Sequence, residues 1–220
     1  MNIFYLDRDP VKAAQMMCDK HVVKMILESA QMLSTTHRFL DGDKYANEHG
    51  LYKLSHKNHP SSIWVRNSNQ HYKWLYDHFI ALCKEYNARY KKHHATERLI
   101  YSLEKQPQFM PVGGFTDPPQ CMPDYCRGED TVIAYQTYYI LEKSSFAKWN
   151  HSEIPYWWKE RENYIINFKE ENNILRNNVK ELQEQLQTAY KRIIELNNSK
   201  QLKLNFETSY KEKPVKNAHI

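Results

Sequence analysis

His21, Lys24 and Glu28, side chains able to move a proton or attack an electrophile, fall in one short stretch, Cys18-Asp19-Lys20-His21-Val22-Val23-Lys24-Met25-Ile26-Leu27-Glu28. An imidazole, an amine and a carboxylate are the parts of an acid/base or amine-nucleophile centre. The stretch reads as the middle of a long first helix. A helix turns about 100° per residue, so His21 and Glu28 share one face about two turns apart. Lys24 stands one turn from each. One reading is an acid/base centre on a rigid element. The other is an exposed Lys–Glu pair beside a satisfied histidine, a common pattern on helix surfaces. Spacing alone does not separate them, so the surrounding elements must.

Those elements read as helical. The chain has 220 residues, room for one sizeable domain and an appendage. It is 41% hydrophobic and 13% aromatic, enough for a core. With 5 Gly it has few candidates for tight hairpin turns, which argues against an all-β fold. A formal charge of +5 is mild basicity, compatible with a nucleic-acid partner but not diagnostic of one. No apolar run reaches the roughly 20 residues of a membrane span, and the N-terminus lacks the pattern of a secretory signal. Cys18, Cys83, Cys121 and Cys126 form no framework and read as reduced thiols in a cytoplasmic protein. Cys121 and Cys126 share a loop, but no CxxC or Cys/His partner set completes a zinc site, so no metal or other cofactor is expected.

Asp9-Pro10 is a good helix opening, since Asp accepts from free N–H groups and Pro fits the first turn. The apolar stripe from Val11 to Leu33 extends that helix over about 10–39, and Asp41-Gly42-Asp43 ends it. Residues 44–60 read as a polar irregular segment. Lys53, His56, Lys57 and His59 crowd there before Pro60, as phosphate contacts or simply a solvated loop. A second long helix is expected over about 60–92, with His71 and His78 inside its apolar stripe and therefore at the core edge. A short helix at about 95–105 precedes a Pro-rich stretch from Pro107 to Pro123 that excludes regular structure. Glu129 to Trp149 reads as a third long helix, with Lys143 near its end. The aromatic segment Ile154-Pro155-Tyr156-Trp157-Trp158 follows. Aromatics beside basic residues stack on bases, or cap a small core.

From about residue 161 aromatics thin out. Ile165, Phe168, Asn172, Leu175, Val179, Leu182, Leu186, Ala189, Ile193 and Leu196 alternate spacings of three and four, a heptad repeat. With Ile165 at a, β-branched residues recur at a and Leu at d. That grammar favours a parallel two-stranded coil, and Asn172 at a fixes its register. Glu171 at g can pair with Arg176 at e of a partner strand. A helix folded back on its own domain is the alternative. The expected organisation is thus an all-α chain: a helical domain over 1–158, a coiled-coil helix over 161–198 offering a homodimer through 165–196, and a basic disordered tail over 199–220.

The order of these features resembles the pyrimidine-dimer DNA glycosylases of the phage endonuclease V type. That family carries a His on an early helix and a catalytic Glu two turns later, matched by His21 and Glu28, with Asp19 and Ala13-Ala14-Gln15 in a similar setting. A second aromatic and basic helix is matched by about 69–92, and a Glu-Lys pair with nearby Trp and Tyr by Glu142, Lys143, Trp149 and Tyr156. The resemblance spans about 1–158.

What it implies is an enzyme of DNA repair in the cytoplasm of a bacterial or phage-infected cell, acting on damaged or modified pyrimidines in double-stranded DNA. Such enzymes flip out a nucleotide, attack the sugar with an amine, form a Schiff base and cut the strand by β-elimination. The implied catalytic set is Glu28, His21 and an amine, either that of Met1 or Lys24. Together with the basic loop, the expected DNA contacts are Lys20, His56, Lys57, His59, Lys143 and Trp149. The chain departs from the family at several positions. The family's nucleophile is the α-amine of a small residue exposed by removal of Met, and here position 2 is Asn2. Ile3, Leu27, Gln31 and Tyr139 stand where the family has Arg. Two other readings stay open: a non-catalytic dimeric nucleic-acid-binding or scaffold protein, and an enzyme of the same fold acting on a different modified base.

Overall fold

The computed structural model describes the backbone of residues 1–211 and the side chains of residues 1–200. It divides into two units, 1–162 and 163–220. Among the described residues every regular element is helical, so the all-α expectation holds.

The expected first helix is two. α1 spans Pro10–Gln15 and α2 spans Asp19–Asp41. Asp9 caps α1 by accepting from the N–H groups of Val11 and Lys12. The break at Met16–Cys18 is fixed by a distant cation. Arg89 donates to the carbonyls of Gln15 and Met17, which a continuous helix would have consumed. It also pairs with Asp19 at 3.2 Å, in the first turn of α2, where a carboxylate suits the positive end of the helix. The other Asp19 oxygen accepts the Asn150 N–H at 2.8 Å. His21 therefore sits in the first turn of a helix, not in the middle of one, and Glu28 lies two turns deeper.

α3 spans Asp43–Glu48, inside the stretch expected to be irregular. Gly42 makes the corner with φ +77°, a conformation that costs an L side chain. The expected second long helix is also two, α4 over Pro60–Asn67 and α5 over Asn69–Tyr90. Ser68 separates them in an extended conformation; its Oγ accepts the Gln70 N–H and donates to Gly113 O. A 3₁₀ turn at Ala95–Leu99 leads into α6, Ile100–Glu104. α2 and α5 are the two longest helices of this unit, and they pack together with α1 and α4 around them. His71 and His78 are buried on α5, as its apolar stripe predicts.

The Pro-rich stretch is irregular and ordered by side chains. Asp41 accepts from the N–H groups of Gln108 and Phe109, Pro111 O accepts the Asn69 N–H, and Thr116 O accepts the Trp64 indole N–H. It is a strap over the α4–α5 junction. α7 spans Thr131–Glu142, capped by Asp130, which also pairs with Arg8 at 2.9 Å. Its inner face presents Tyr135 and Tyr139, one turn apart and both buried. This helix ends well before Trp149, and Tyr156–Lys159 forms the single turn α8.

The described residues of the second unit form one helix. α9 spans Arg161–Lys211, about 76 Å at 1.5 Å per residue. The expected disordered tail begins too early at 199, since the backbone stays helical through Lys211; residues 212–220 lie outside the described residues. Within α9 the heptad side chains Leu175, Val179, Leu182, Leu186, Ile193 and Leu196 are all more than half exposed.

Candidate active site at the N-terminal segment

The polar stripe of α2 is the bed on which the N-terminal segment lies. Phe4 stacks on the His21 ring, with centroids 4.3 Å apart. Two residues earlier, the backbone N–H of Asn2 points at Glu28 Oε2, 3.4 Å away. Segment 2–4 thus runs antiparallel to α2, with residue 4 at His21 and residue 2 at Glu28. Ile3, Phe4, Tyr5 and Leu6 are buried, which anchors the segment along its length.

The two ends of the stripe differ sharply. His21 is buried, and its Nδ1 bonds the hydroxyl of Tyr139, itself buried. Phe146 packs against the ring edge-on. Burial, reinforced by the charges of Lys143 and Lys24, drops the His21 pKa to about 3, so the ring is neutral near pH 7. Burial also pushes the Tyr139 phenol well above its ordinary range, so it stays protonated and donates to the imidazole. His21 is therefore fixed as an acceptor at Nδ1, in a place that holds Phe4 and the N-terminal segment.

Glu28 is half-buried at the open end. Its Oε1 lies 3.3 Å from Lys24 Nζ, and its side chain is 15% exposed against 67% for Lys24. A peptide N–H thus faces one oxygen and an ammonium the other. Lys20 and Lys24 project from the solvent side of α2, with Val23 and Leu27 exposed among them. Lys20 Nζ also sits 5.4 Å from the Phe146 ring centroid.

The opposite wall comes from the start of α4 and the strap. His59 caps α4, its Nδ1 accepting the Ser61 N–H at 3.2 Å, so a neutral ring carries its proton on Nε2. Its pKa is lowered, first by burial and then by the Met1 α-amine and His56, against a raising pull from Glu28. His59 therefore senses both the chain's first amine and the carboxylate. Beyond it, an open groove of about 670 Å³ is lined by His59, Pro60, Pro119, Cys121, Arg127 and their neighbours. Asn2 is bonded to one of these lining residues, its Nδ2 donating to Cys121 O at 2.9 Å. The surface loop before His59 carries exposed Lys53, His56 and Lys57, and His56 adopts φ +49°. Arg66 donates to the Lys57 carbonyl and holds that loop to α4.

The structure pairs Lys24 with Glu28 beside Asn2, with His59 near enough to feel both the Met1 α-amine and Glu28, while Lys20 and Lys57 are exposed. Two of the expected residues sit elsewhere. Trp149 is buried, its indole N–H donating to Met16 O and its ring packed against Trp157 and Trp158. It is a core residue and offers no face to DNA. His21 is likewise enclosed and has no open path for proton exchange with a substrate. Lys143 is half-buried, donating to the Tyr138 hydroxyl at 2.9 Å with its charge 4.2 Å from that ring. Tyr156 is exposed.

Sequence reasoning missed two participants. Tyr135 donates to Asn2 Oδ1 at 2.7 Å across 133 residues, and Cys121 supplies a carbonyl to the same side chain. Nothing in local spacing links them to residue 2. Among the described residues, no three His, Cys, Asp or Glu side chains are grouped to hold a metal ion.

Comparison with curated proteins and with solved structures returns no significant match. Residues 1–98, which carry Asn2, Lys24, Glu28 and His59, match the family described as pyrimidine dimer DNA glycosylase, the family that the order of these residues resembles.

Proposed function

We propose that the chain is a DNA glycosylase with strand-cleaving lyase activity, acting on damaged pyrimidines in duplex DNA. The observation that carries the reading is the approach of the Asn2 nitrogen to Glu28 Oε2. It sets the start of the chain, where an α-amine resides, against a half-buried carboxylate beside an open groove. The α-amine of Met1 is the nucleophile we favour. As a class, α-amines lose their proton near pH 8 and lysine amines near 10.4. Lys24 stands largely in water, paired at 3.3 Å with the carboxylate itself.

The chemistry follows from these parts. A damaged nucleotide is extruded from the stack, which costs least where pairing is already disturbed. The neutral amine attacks C1′ as the bond from C1′ to the base nitrogen breaks, and the base leaves with that electron pair and a proton. Glu28, negative and close by, stabilises the positive charge that develops on the sugar. The C1′–O4′ bond then breaks, the linkage nitrogen's remaining proton passes to O4′, and the opened sugar is left as the Schiff base. Glu28 then takes a proton from C2′ as the C3′–O bond breaks, cutting the strand. Lys20, Lys24, Lys57 and the nearby histidines supply phosphate contacts, which position the duplex without reading its sequence.

Duplexes carrying one thymine dimer or one abasic site test this. The wild-type chain is expected to cut them and to spare undamaged duplex. Absence of cutting on both damaged substrates contradicts it.

The long helix supports a further proposal, a parallel homodimer through residues 165–196. Its apolar a and d side chains are exposed along one stripe within the second unit, a pattern that a facing copy buries. A parallel partner places Asn172 opposite Asn172 and Glu171 beside the partner's Arg176.

A further inference from the structure

Asn2 meets Glu28 through its backbone and is held by its side chain. Its Oδ1 accepts from the Tyr135 hydroxyl at 2.7 Å and from the Ile3 N–H at 2.9 Å. Its Nδ2 donates to Cys121 O at 2.9 Å. The same Tyr135 hydroxyl lies 2.7 Å from Pro119 O and accepts the Cys121 N–H at 3.4 Å. One phenol therefore ties the second residue of the chain to the strap that walls the groove. Tyr135 is fully buried on α7, its ring edge-on to Phe4. Burial raises its pKa far above the ordinary range, so the hydroxyl keeps its proton and remains a donor.

We infer that Tyr135 is a positioning residue of the active site, acting through Asn2 to aim the start of the chain at Glu28. The inference rests on the α-amine reading above. The physical need is plain. A chain terminus is ordinarily the least ordered part of a domain, yet an amine nucleophile must be held within a fraction of an ångström of its productive place, and an error of 1 Å costs on the order of a hundredfold. Phe4 and Ile3 bury the segment but do not fix rotation about the residue 2 backbone. A side-chain amide bonded at both its donor and its acceptor does. Asn fits because it offers both groups on a short stem. Asn at position 2 is then an anchor for the preceding residue, in a chain where Met1 carries the amine.

The test uses the full chain and three variants. Tyr135→Phe removes the hydroxyl and keeps the ring. Asn2→Leu removes all three side-chain hydrogen bonds of Asn2 at similar side-chain size. The third combines them. Single-turnover cleavage of an abasic duplex and borohydride trapping are read alongside the Kd for the same duplex and the thermal midpoint. Tyr135→Phe is expected to slow both reactions by about tenfold or more, with duplex affinity within about twofold of wild type. The double variant should be no slower than Asn2→Leu alone, since both act through one contact. Wild-type rates in Tyr135→Phe, or a loss confined to the thermal midpoint, overturn the inference. A wild-type chain that neither cuts nor traps overturns the α-amine reading instead, so the two failures are distinct.

Discussion

The backbone nitrogen of Asn2 lies 3.4 Å from Oε2 of Glu28, across 26 positions of sequence. Everything along the His21–Glu28 stripe serves that approach: Phe4 stacks on His21, Tyr139 fixes the ring, and the buried segment between delivers residue 2 to the carboxylate. On the proposed reading, one end of the stripe carries the chemistry and the other holds the segment that brings the amine to it.

Glu28→Gln is the direct probe of the carboxylate. The amide keeps an acceptor for the Asn2 N–H but cannot take a proton or offset a developing positive charge. Cleavage of dimer-containing duplex should fall by about a hundredfold or more. The thermal midpoint should barely move, because the lost ion pair is with a lysine largely in water. Retained cleavage with an intact fold would remove Glu28 from the mechanism.

Lys24→Ala separates the two candidate amines. If the nucleophile is the α-amine, the variant still forms a covalent adduct under borohydride, and its duplex affinity falls modestly with a shallower salt dependence. Loss of the adduct with affinity retained would point to Lys24.

Acid should weaken this protein through its buried histidines. His21 is held at about 3, and His37 and His78 at about 4, each mainly by burial. An unfolded histidine titrates near 6.5. Between about 6.5 and 4 the unfolded chain therefore binds more protons than the folded one, and stability rises with pH across that window. Above 6.5 the contribution is complete. Urea midpoints measured from pH 7 down to pH 4.5 should fall steadily, and a flat profile would show these rings to be solvated. Any acid limb of activity between pH 5 and 7 should survive replacement of His21 by a neutral ring.

Breaking the Arg89–Asp19 pair should be costly. Arg89 is almost wholly enclosed and serves four partners: Asp19, Glu85 and the carbonyls of Gln15 and Met17. Asp19→Asn leaves its cation under-compensated at the α1–α2 corner. A loss of about 3–5 kcal/mol is expected from chemical denaturation.

For the long helix, sedimentation of the full chain should give a dimer. Leu182→Glu, at a central d position, should give a monomer, and Asn172→Val should raise the melting temperature while relaxing a single assembly state into several. A monomeric wild type would contradict the proposed homodimer.

Much of this was legible in the sequence, for reasons that can be named. Helical periodicity, the Asp9-Pro10 opening and the heptads are local signals, and each corresponds to a helix. Two helix breaks were not legible. The one before Asp19 is held by Arg89, 70 residues away, and the one at Ser68 by Gly113, so neither shows in local apolar spacing. In the site, Glu28 and Lys24 were legible because helix geometry alone pairs them. Trp149 was read as a DNA contact because an aromatic beside lysines looks the same on a surface as in a core; Trp157 and Trp158 decide it. Tyr135 and Cys121 were invisible, because their partner is residue 2 and the link exists only in the fold.

The central claim is that an amine at the start of the chain attacks the sugar beside Glu28. The measurement that meets it most directly is borohydride trapping on an abasic duplex, followed by proteolysis and mass mapping of the cross-linked peptide. The account predicts a covalent adduct on the peptide that begins at Met1, present in Lys24→Ala and lost when the α-amine is blocked by acetylation. No adduct, or an adduct carried elsewhere in the chain, would contradict it.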